Sequence, residues 1–176
     1  MKKLVLLAMA MALAGCNRSS GDAGGGFVMA EPTDFTPAQK AAIQATFPAP
    51  YNTADLTLGE KTFGKCRSCH TMAPGASDMV GPNLYGVFGR RSGAKPGYPY
   101  TDAMIAHNTV WDFDTLDTYL TSPQTVVKGT RMSFPGIQDA TQRHALIAYL
   151  KLENSPPPAE ASTSASDTAS SPAAKP

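Results

Sequence analysis

Cysteine is scarce in this chain, and neither sign of charge is in excess. The 176 residues include three cysteines, and 15 lysine and arginine residues balance 14 aspartate and glutamate residues. A near-neutral chain lacks the basic field typical of nucleic-acid binding, so we expect no nucleic-acid partner. An apolar run at residues 4–13 is too short to span a bilayer stably. The segments rich in glycine and proline lack the alternation of β-strands, which favours a domain without sheets.

Two of the three cysteines form a chemical motif. Cys66 and Cys69 are followed at once by His70, and Cys-x-x-Cys-His is the attachment signature of a c-type haem. Each thiol can add to one vinyl group of the porphyrin, while the imidazole reaches the iron. A zinc half-site would need a second ligand pair, and the remaining cysteine, Cys16, lies far away at the amino terminus. A thioredoxin-like pair would need a βαβ context, and a chance match is the last alternative.

The amino terminus resembles an export signal. Lys2 and Lys3 precede the apolar run, and small residues lead to Cys16. Residues 13–16 (LAGC) resemble a bacterial lipobox, which implies cleavage before Cys16 and lipid attachment to it. The alternative is an ordinary signal peptide with a coincidental cysteine. We expect a lipoprotein of the bacterial cell envelope, facing the periplasm, because haem attachment and lipidation both occur outside the cytoplasm.

Composition divides the chain into five segments. They are a leader at 1–15, a lipidated flexible linker at 16–33, a short capped helix at 34–50, a haem domain at 51–153 and a disordered tail at 154–176. The linker is rich in Gly and Ser, and about 16 such residues span on the order of 20 to 25 Å. The tail contains Pro, Ala, Ser and Thr without aromatic residues, so it cannot bury enough surface to order itself.

A short helix is predicted before the haem domain. Thr36 reads as its N-cap, Pro37 as its first residue and Gln39 as the partner in a capping box. Ile43 and Phe47 share one face, which should lie on the haem domain. We interpret this helix as a packed spacer.

Helical periodicity continues inside the domain. It marks residues 56–63, 100–107, 113–121 and 141–151. Gly59 lies within the first of these helices, where glycine costs about 1 kcal/mol relative to alanine. Its presence predicts a close approach to another element, with Tyr149 on the last helix as the expected neighbour.

Residues 66–151 resemble class I cytochrome c of the mitochondrial type and its bacterial periplasmic relatives. The matching blocks are residues 81–90 (GPNLYGVFGR), 96–101 (PGYPYT), 129–134 (GTRMSF) and 146–151 (LIAYLK). The resemblance implies an all-α fold with about 3–5 helices wrapped around one covalent haem. It also implies a monomer that carries electrons and is not an enzyme.

The iron needs a second axial ligand beyond His70. The candidate side chains after the motif are Met72, Met79, Met104, Met132, His107 and His144. The resemblance places Met132 in the ligand loop of the family, which implies a His70/Met132 pair. A thioether favours ferrous iron and raises the potential, as expected of an electron carrier. We interpret Met72 and Met79 as loop packing. We interpret His107 and His144 as surface residues of helices.

The resemblance also implies roles around the haem. Pro82 should accept a hydrogen bond from Nδ1 of His70 through its backbone carbonyl, which strengthens donation to the iron. Arg90, Tyr100 and Trp111 fall where the family holds the haem propionates. A solvated arginine and a core tryptophan are the alternatives for two of them. Phe134 is expected at the exposed haem edge, where electrons would pass.

Some positions depart from the family pattern. Val126 stands where a tyrosine commonly approaches the methionine sulfur, and Met104 replaces an asparagine of the same network. We therefore predict that the sulfur has lost polar neighbours and that the potential is altered. Lys128 replaces a proline before Gly129, which should loosen the ligand loop.

Fewer positions around the exposed haem edge are basic in this chain than in the family. Lys65, Arg67, Lys128 and Arg131 remain basic, whereas Gln124, Thr125, Gln138 and Asp139 occupy other positions around this edge. Electrostatic steering should therefore be weak, and a lipid tether at Cys16 would compensate by confining the protein near membrane-bound redox donors and acceptors. The alternatives are a haem subunit of a dehydrogenase or oxidase complex and a ligand-binding or peroxidase-like haem protein.

Overall fold

The structure is a computed structural model that describes residues 35–154. The predicted leader, the linker with Cys16 and all of the predicted tail after Asn154 lie outside these residues. Asn154 itself corrects the tail boundary. Its backbone N–H donates to the Leu150 carbonyl at the end of the last helix, and its side chain is 4% exposed. The ordered domain therefore includes Asn154.

Helices dominate the described part of the chain. They are α1 (Pro37–Gln44), α2 (Leu56–Phe63), α3 (Asp102–His107), α4 (Phe113–Thr121), α5 (Pro123–Val126) and α6 (Ala140–Glu153). A 3₁₀ turn covers Tyr51–Thr53, and one antiparallel bridge joins Arg91 to Val110. No strand forms within residues 35–154, and five of these helices lie in the predicted haem domain. The predicted all-α fold is confirmed.

Side-chain caps fix where the helices begin. The Thr36 hydroxyl accepts from the backbone of Gln39, whose side chain accepts from the backbone of Thr36 in return, which confirms the predicted capping box. The Thr101 hydroxyl accepts from Met104 N, so α3 begins at Asp102 and leaves Tyr100 outside the helix. The acidic caps Asp55, Asp112 and Asp139 start α2, α4 and α6.

The helices α2 and α6 meet at a glycine. A Cβ at Gly59 would collide with the Ala145 carbonyl oxygen and lie 2.7 Å from Cβ of Tyr149. The predicted approach of Gly59 to Tyr149 is therefore confirmed. This contact lets the backbones pack closely where α2 leads into the haem motif.

The early segment packs on the same core. Phe47 lies beyond the end of α1, is 7% exposed and places its ring centroid 5.4 Å from that of Phe113. Lys40 pairs with Glu153 of α6 at 2.6 Å, and Ile43 packs against the core. The predicted docking face is thus present. Among the described helices, none is long and apolar enough to cross a membrane.

Candidate functional site

One large cavity of about 370 Å³ opens between the turn that follows α2, the helices α3, α4 and α6, and the loop that follows α5. Cys66, Cys69 and His70 line one side of it, and Met132 lines it from the loop. Its remaining wall is mainly apolar and includes Leu146, which is fully buried on α6. The cavity therefore brings the predicted haem-binding residues together.

The cysteine motif folds as a helical turn directly after α2. Cys66 N donates to the Phe63 carbonyl, and the backbone N–H groups of Cys69 and His70 both donate to the Cys66 carbonyl at 3.0 Å. Both cysteines are free of disulfides. Burial, followed by the neighbouring Cys69, raises the pKa of the Cys66 thiol to about 11, so this thiol is protonated at neutral pH.

A backbone carbonyl orients the imidazole of His70. Its Nδ1 lies 2.7 Å from the Pro82 carbonyl oxygen, the contact that the sequence predicted. Burial lowers the pKa of His70 more than this carbonyl raises it, so the imidazole is neutral at pH 7. With Nδ1 donating to Pro82, Nε2 carries the free lone pair that an iron ligand needs.

Gly81 supports the imidazole ring, and the sequence reasoning did not identify it. A Cβ at this position would lie 2.7 Å from both ring nitrogens of His70 and would collide with Cε1. Gly81 N also donates to the Cys69 carbonyl at 2.8 Å. The sequence signal for this contact was the Gly81-Pro82 pair. A glycine next to the proline that orients the imidazole indicates that the backbone lies close to the ring.

The expected loss of polar groups beside the Met132 sulfur is wrong. The hydroxyl of Tyr119, from α4, donates to Sδ of Met132 across 3.4 Å and also lies 3.3 Å from Oγ1 of Thr130. Tyr119 reaches the sulfur because it is one of the buried residues of α4, as is Leu120. Val126 therefore does not leave the sulfur without a hydroxyl. Met104, which replaces the asparagine of the family, is a buried thioether on the cavity wall.

The structure separates the six candidates for a second iron ligand. Of these, Met104 and Met132 line the cavity. Met72 packs near Asn154, which agrees with loop packing, but Met79 is 47% exposed and does not pack as predicted. His107 lies against Trp111 with ring centroids 5.8 Å apart, and Nε2 of His144 is 3.3 Å from an Asp117 oxygen. Within residues 35–154, His70 is the one histidine on the cavity wall.

The three residues predicted to hold the propionates all line the cavity. They are Arg90, Tyr100 and Trp111. The Arg90 guanidinium donates to the carbonyls of Tyr85 and Asn83 at 3.1 and 3.3 Å, which fixes it as a cation beside the cavity. Trp111 is 7% exposed, and burial raises the pKa of Tyr100. Their roles toward propionates stay a prediction.

Most of the cationic rim is already engaged with other groups. Nζ of Lys65 lies 3.3 Å from the Gln142 side chain, and Arg67 pairs with Glu60 at 3.6 Å. Arg131 donates to the Pro99 carbonyl at 3.0 Å. Phe134 lines the cavity at the rim and is half-buried.

Comparison with curated proteins identifies relatives of the haem domain, although no family model matches the chain. The cytochrome c of Kluyveromyces lactis is 42% identical over 104 residues, which cover 58% of this chain and 94% of the relative. Cytochrome c2 of Rhodoblastus acidophilus is 43% identical over 96 residues, or 54% of this chain and 90% of the relative. The cytochrome c of Sesamum indicum is 46% identical over 98 residues, or 55% and 88%.

This chain belongs to the cytochrome c family. Proteins of this family carry one covalently bound haem c and are electron carriers, not enzymes. The matched segments cover a little over half of the chain.

The residues of the cavity fit a c-type haem. Two unpaired thiols and a neutral imidazole with its Nδ1 already bonded face the same apolar space as a thioether. When bound, haem supplies an iron that gains and loses one electron. A zinc site has less support, because no cluster of three or more His, Cys, Asp and Glu side chains occurs in the described part of the chain.

Proposed function

We propose that this cytochrome is a membrane-anchored, periplasm-facing electron carrier whose haem iron is bound by His70 and Met132. The observation that carries this proposal is that both side chains line one apolar cavity, each held by a hydrogen bond to a buried or half-buried group. Pro82 orients the imidazole, and Tyr119 contacts the thioether. His70 and Met132, held in place by these contacts, would keep the surroundings of the haem iron nearly the same when it gains or loses one electron, which suits single-electron transfer through the edge near Phe134.

A peroxidase-like or gas-binding function has less support. Such a protein needs an open sixth position, and peroxide cleavage uses a distal histidine beside an arginine. In the described residues, His107 and His144 lie outside the cavity wall. Met132 lines the same cavity and is contacted by Tyr119. A haem subunit of a dehydrogenase or oxidase complex shares the same chemistry and differs only in its partner.

The membrane anchor is supported by the sequence. Lys2, Lys3 and the apolar run precede Cys16 in a lipobox-like segment. A linker of about 16 residues reaches on the order of 20 to 25 Å, enough to let a small domain turn between neighbouring complexes. Confinement to the membrane surface raises the effective concentration of the carrier at its donor and acceptor. The higher effective concentration compensates for weak electrostatic steering, because few cations remain around the haem edge.

The ligation is tested by spectra of the haem-loaded protein. The ferric form should show a methionine-to-iron charge-transfer band, and the ferrous form should resist carbon monoxide. Met132→Leu should abolish the band and admit carbon monoxide, whereas Met104→Leu, a matched thioether on the same cavity wall, should retain the wild-type spectrum. A band that persists in Met132→Leu would show that Met132 is not the ligand.

The anchor is tested separately in cells. Cys16→Ser, expressed with equal amounts of haem-loaded protein in the periplasm, should move the cytochrome from the membrane to the soluble fraction and reduce respiratory electron flux. Unchanged flux at equal abundance would contradict the tether while leaving the electron-carrier function standing.

A further inference from the structure

Gln124 makes a side-chain contact to the backbone of the proposed iron ligand. It lies on the single-turn helix α5, is exposed, and donates from Nε2 to the Met132 carbonyl across 2.7 Å. Throughout residues 35–154, this is the one hydrogen bond found on that carbonyl. The contact thus joins α5 to the ligand loop at the residue that carries the thioether.

Met132 is consequently held at three atoms. Its sulfur accepts from Tyr119, its N–H donates to Thr130 Oγ1 at 3.2 Å, and its carbonyl accepts from Gln124. We propose that Gln124 is a positioning residue that fixes the Met132 backbone and so slows departure of the thioether from the iron. This inference rests on the proposed His70/Met132 ligation.

Side-chain contacts hold most of the ligand loop, because within residues 128–136 the one backbone-to-backbone hydrogen bond is that from Thr130 N to the Val127 carbonyl. The segment between α5 and α6 is not helical, and Gly129 and Gly136 adopt φ angles of +95° and +97° that favour glycine. In this proposal the Met132 peptide moves when the thioether leaves the iron, and this movement breaks its hydrogen bond to Gln124. Water replaces the lost donor at an exposed position, so we expect a modest effect, a roughly 2- to 10-fold change in rate.

The test measures imidazole binding to the ferric, haem-loaded protein at neutral pH. At saturating imidazole, the observed rate is limited by dissociation of Met132. Gln124→Leu should raise this limiting rate about 2- to 10-fold, and Gln124→Arg, which restores a donor that does not bind iron, should stay within about 2-fold of wild type. Gln138→Leu is the matched control. Gln138 is also exposed and donates its amide to a backbone carbonyl, that of Thr121 at 2.8 Å, without touching Met132.

The outcomes separate this inference from the proposed function. If the wild-type protein lacks the methionine charge-transfer band, the proposed ligation by Met132 is itself wrong. If the wild type has the band, an unchanged rate in Gln124→Leu overturns the positioning role. Equal acceleration in Gln138→Leu, or no rescue in Gln124→Arg, overturns it as well, because the loop would then respond to any lost contact or to the substitution alone.

Discussion

The hydroxyl of Tyr119 donates a hydrogen bond to Sδ of Met132 across 3.4 Å. The tyrosine is 6% exposed, and its ring centroid lies 5.0 Å from that of Trp111. Burial raises the pKa of Tyr119, so its hydroxyl remains a donor well above neutral pH. A hydrogen-bond donor withdraws electron density from the sulfur. The sulfur then stabilises ferric iron less, relative to ferrous iron.

Tyr119→Phe is therefore expected to lower the reduction potential. A hydrogen bond worth about 0.5 to 1.5 kcal/mol corresponds to roughly 20 to 60 mV for one electron. Potentiometric titration of the haem-loaded protein measures the shift. Tyr149→Phe is the control, since Tyr149 lies on α6 against Phe63 and does not line the cavity. An unchanged potential in Tyr119→Phe, or an equal shift in both variants, would contradict the role of the sulfur contact.

Gly81→Ala should disturb the imidazole of His70. The added Cβ would lie 2.7 Å from both ring nitrogens, so the ring must move away from the Pro82 carbonyl. Overpacking of this kind costs about 1–3 kcal/mol. We expect less covalently attached haem per chain, measured by haem staining against total protein. Gly75→Ala is the control, because its Cβ meets nothing within 4 Å although its φ of +70° carries strain. Equal haem content in the two variants would exclude a specific effect on His70.

Much of the local structure was predictable because it depends on neighbouring residues. The Thr36 capping box, the bounds of α4 and the Cys-x-x-Cys-His turn are all encoded within a few positions of the chain. The contact of Gly59 with α6 was also predictable, because glycine inside a helix has a cost that close packing explains.

The contacts around the ligand loop were not predictable from such local signals. Tyr119 and Met132 are 13 residues apart, and their approach depends on how α4 and α5 turn relative to the loop. Val126, chosen by position in the loop, was the wrong place to look for the polar neighbour of the sulfur. The Gln124 contact likewise requires the three-dimensional path of the loop, since an exposed glutamine carries no periodic signal.

Gly59→Ala should destabilise the fold. Helix propensity alone favours alanine by about 1 kcal/mol, but the new Cβ would collide with the Ala145 carbonyl on α6. Because the obstacle is backbone, the helices must separate, and we expect a net loss of about 1–3 kcal/mol. Chemical denaturation followed by circular dichroism measures it. Gly64→Ala is the control, since its Cβ meets only the Lys61 carbonyl at 3.0 Å, and it should cost less. A stabilised Gly59→Ala protein would disprove the tight α2–α6 contact.

Asp117→Asn should break an ion pair between α4 and α6. Arg143, with a side chain 9% exposed, donates from Nε and Nη2 to the two carboxylate oxygens at 2.7 and 3.1 Å. Removing the charge leaves the guanidinium poorly paired, so we expect a loss of about 2–4 kcal/mol by the same denaturation assay. Glu60→Gln removes the exposed pair with Arg67 and should change stability by less than about 1 kcal/mol. Similar losses in both variants would contradict the distinction between buried and exposed pairs.

The stability of the domain should fall between about pH 10 and 12, in part because of Tyr51. Burial, and then the charges of Asp117 and Asp114, raise the pKa of Tyr51 from 10.0 to about 12. Above pH 10 the unfolded chain therefore loses this proton before the folded protein does, which favours unfolding as the pH rises. Tyr51→Phe should flatten this decline in thermal unfolding curves. At pH 7 the tyrosine is protonated in both states, so the difference between variant and wild type there reports only the lost hydrogen bond to the Phe113 carbonyl, 3.3 Å long. If the stability difference between the two proteins is the same at pH 7 and pH 11.5, Tyr51 does not titrate as its surroundings predict.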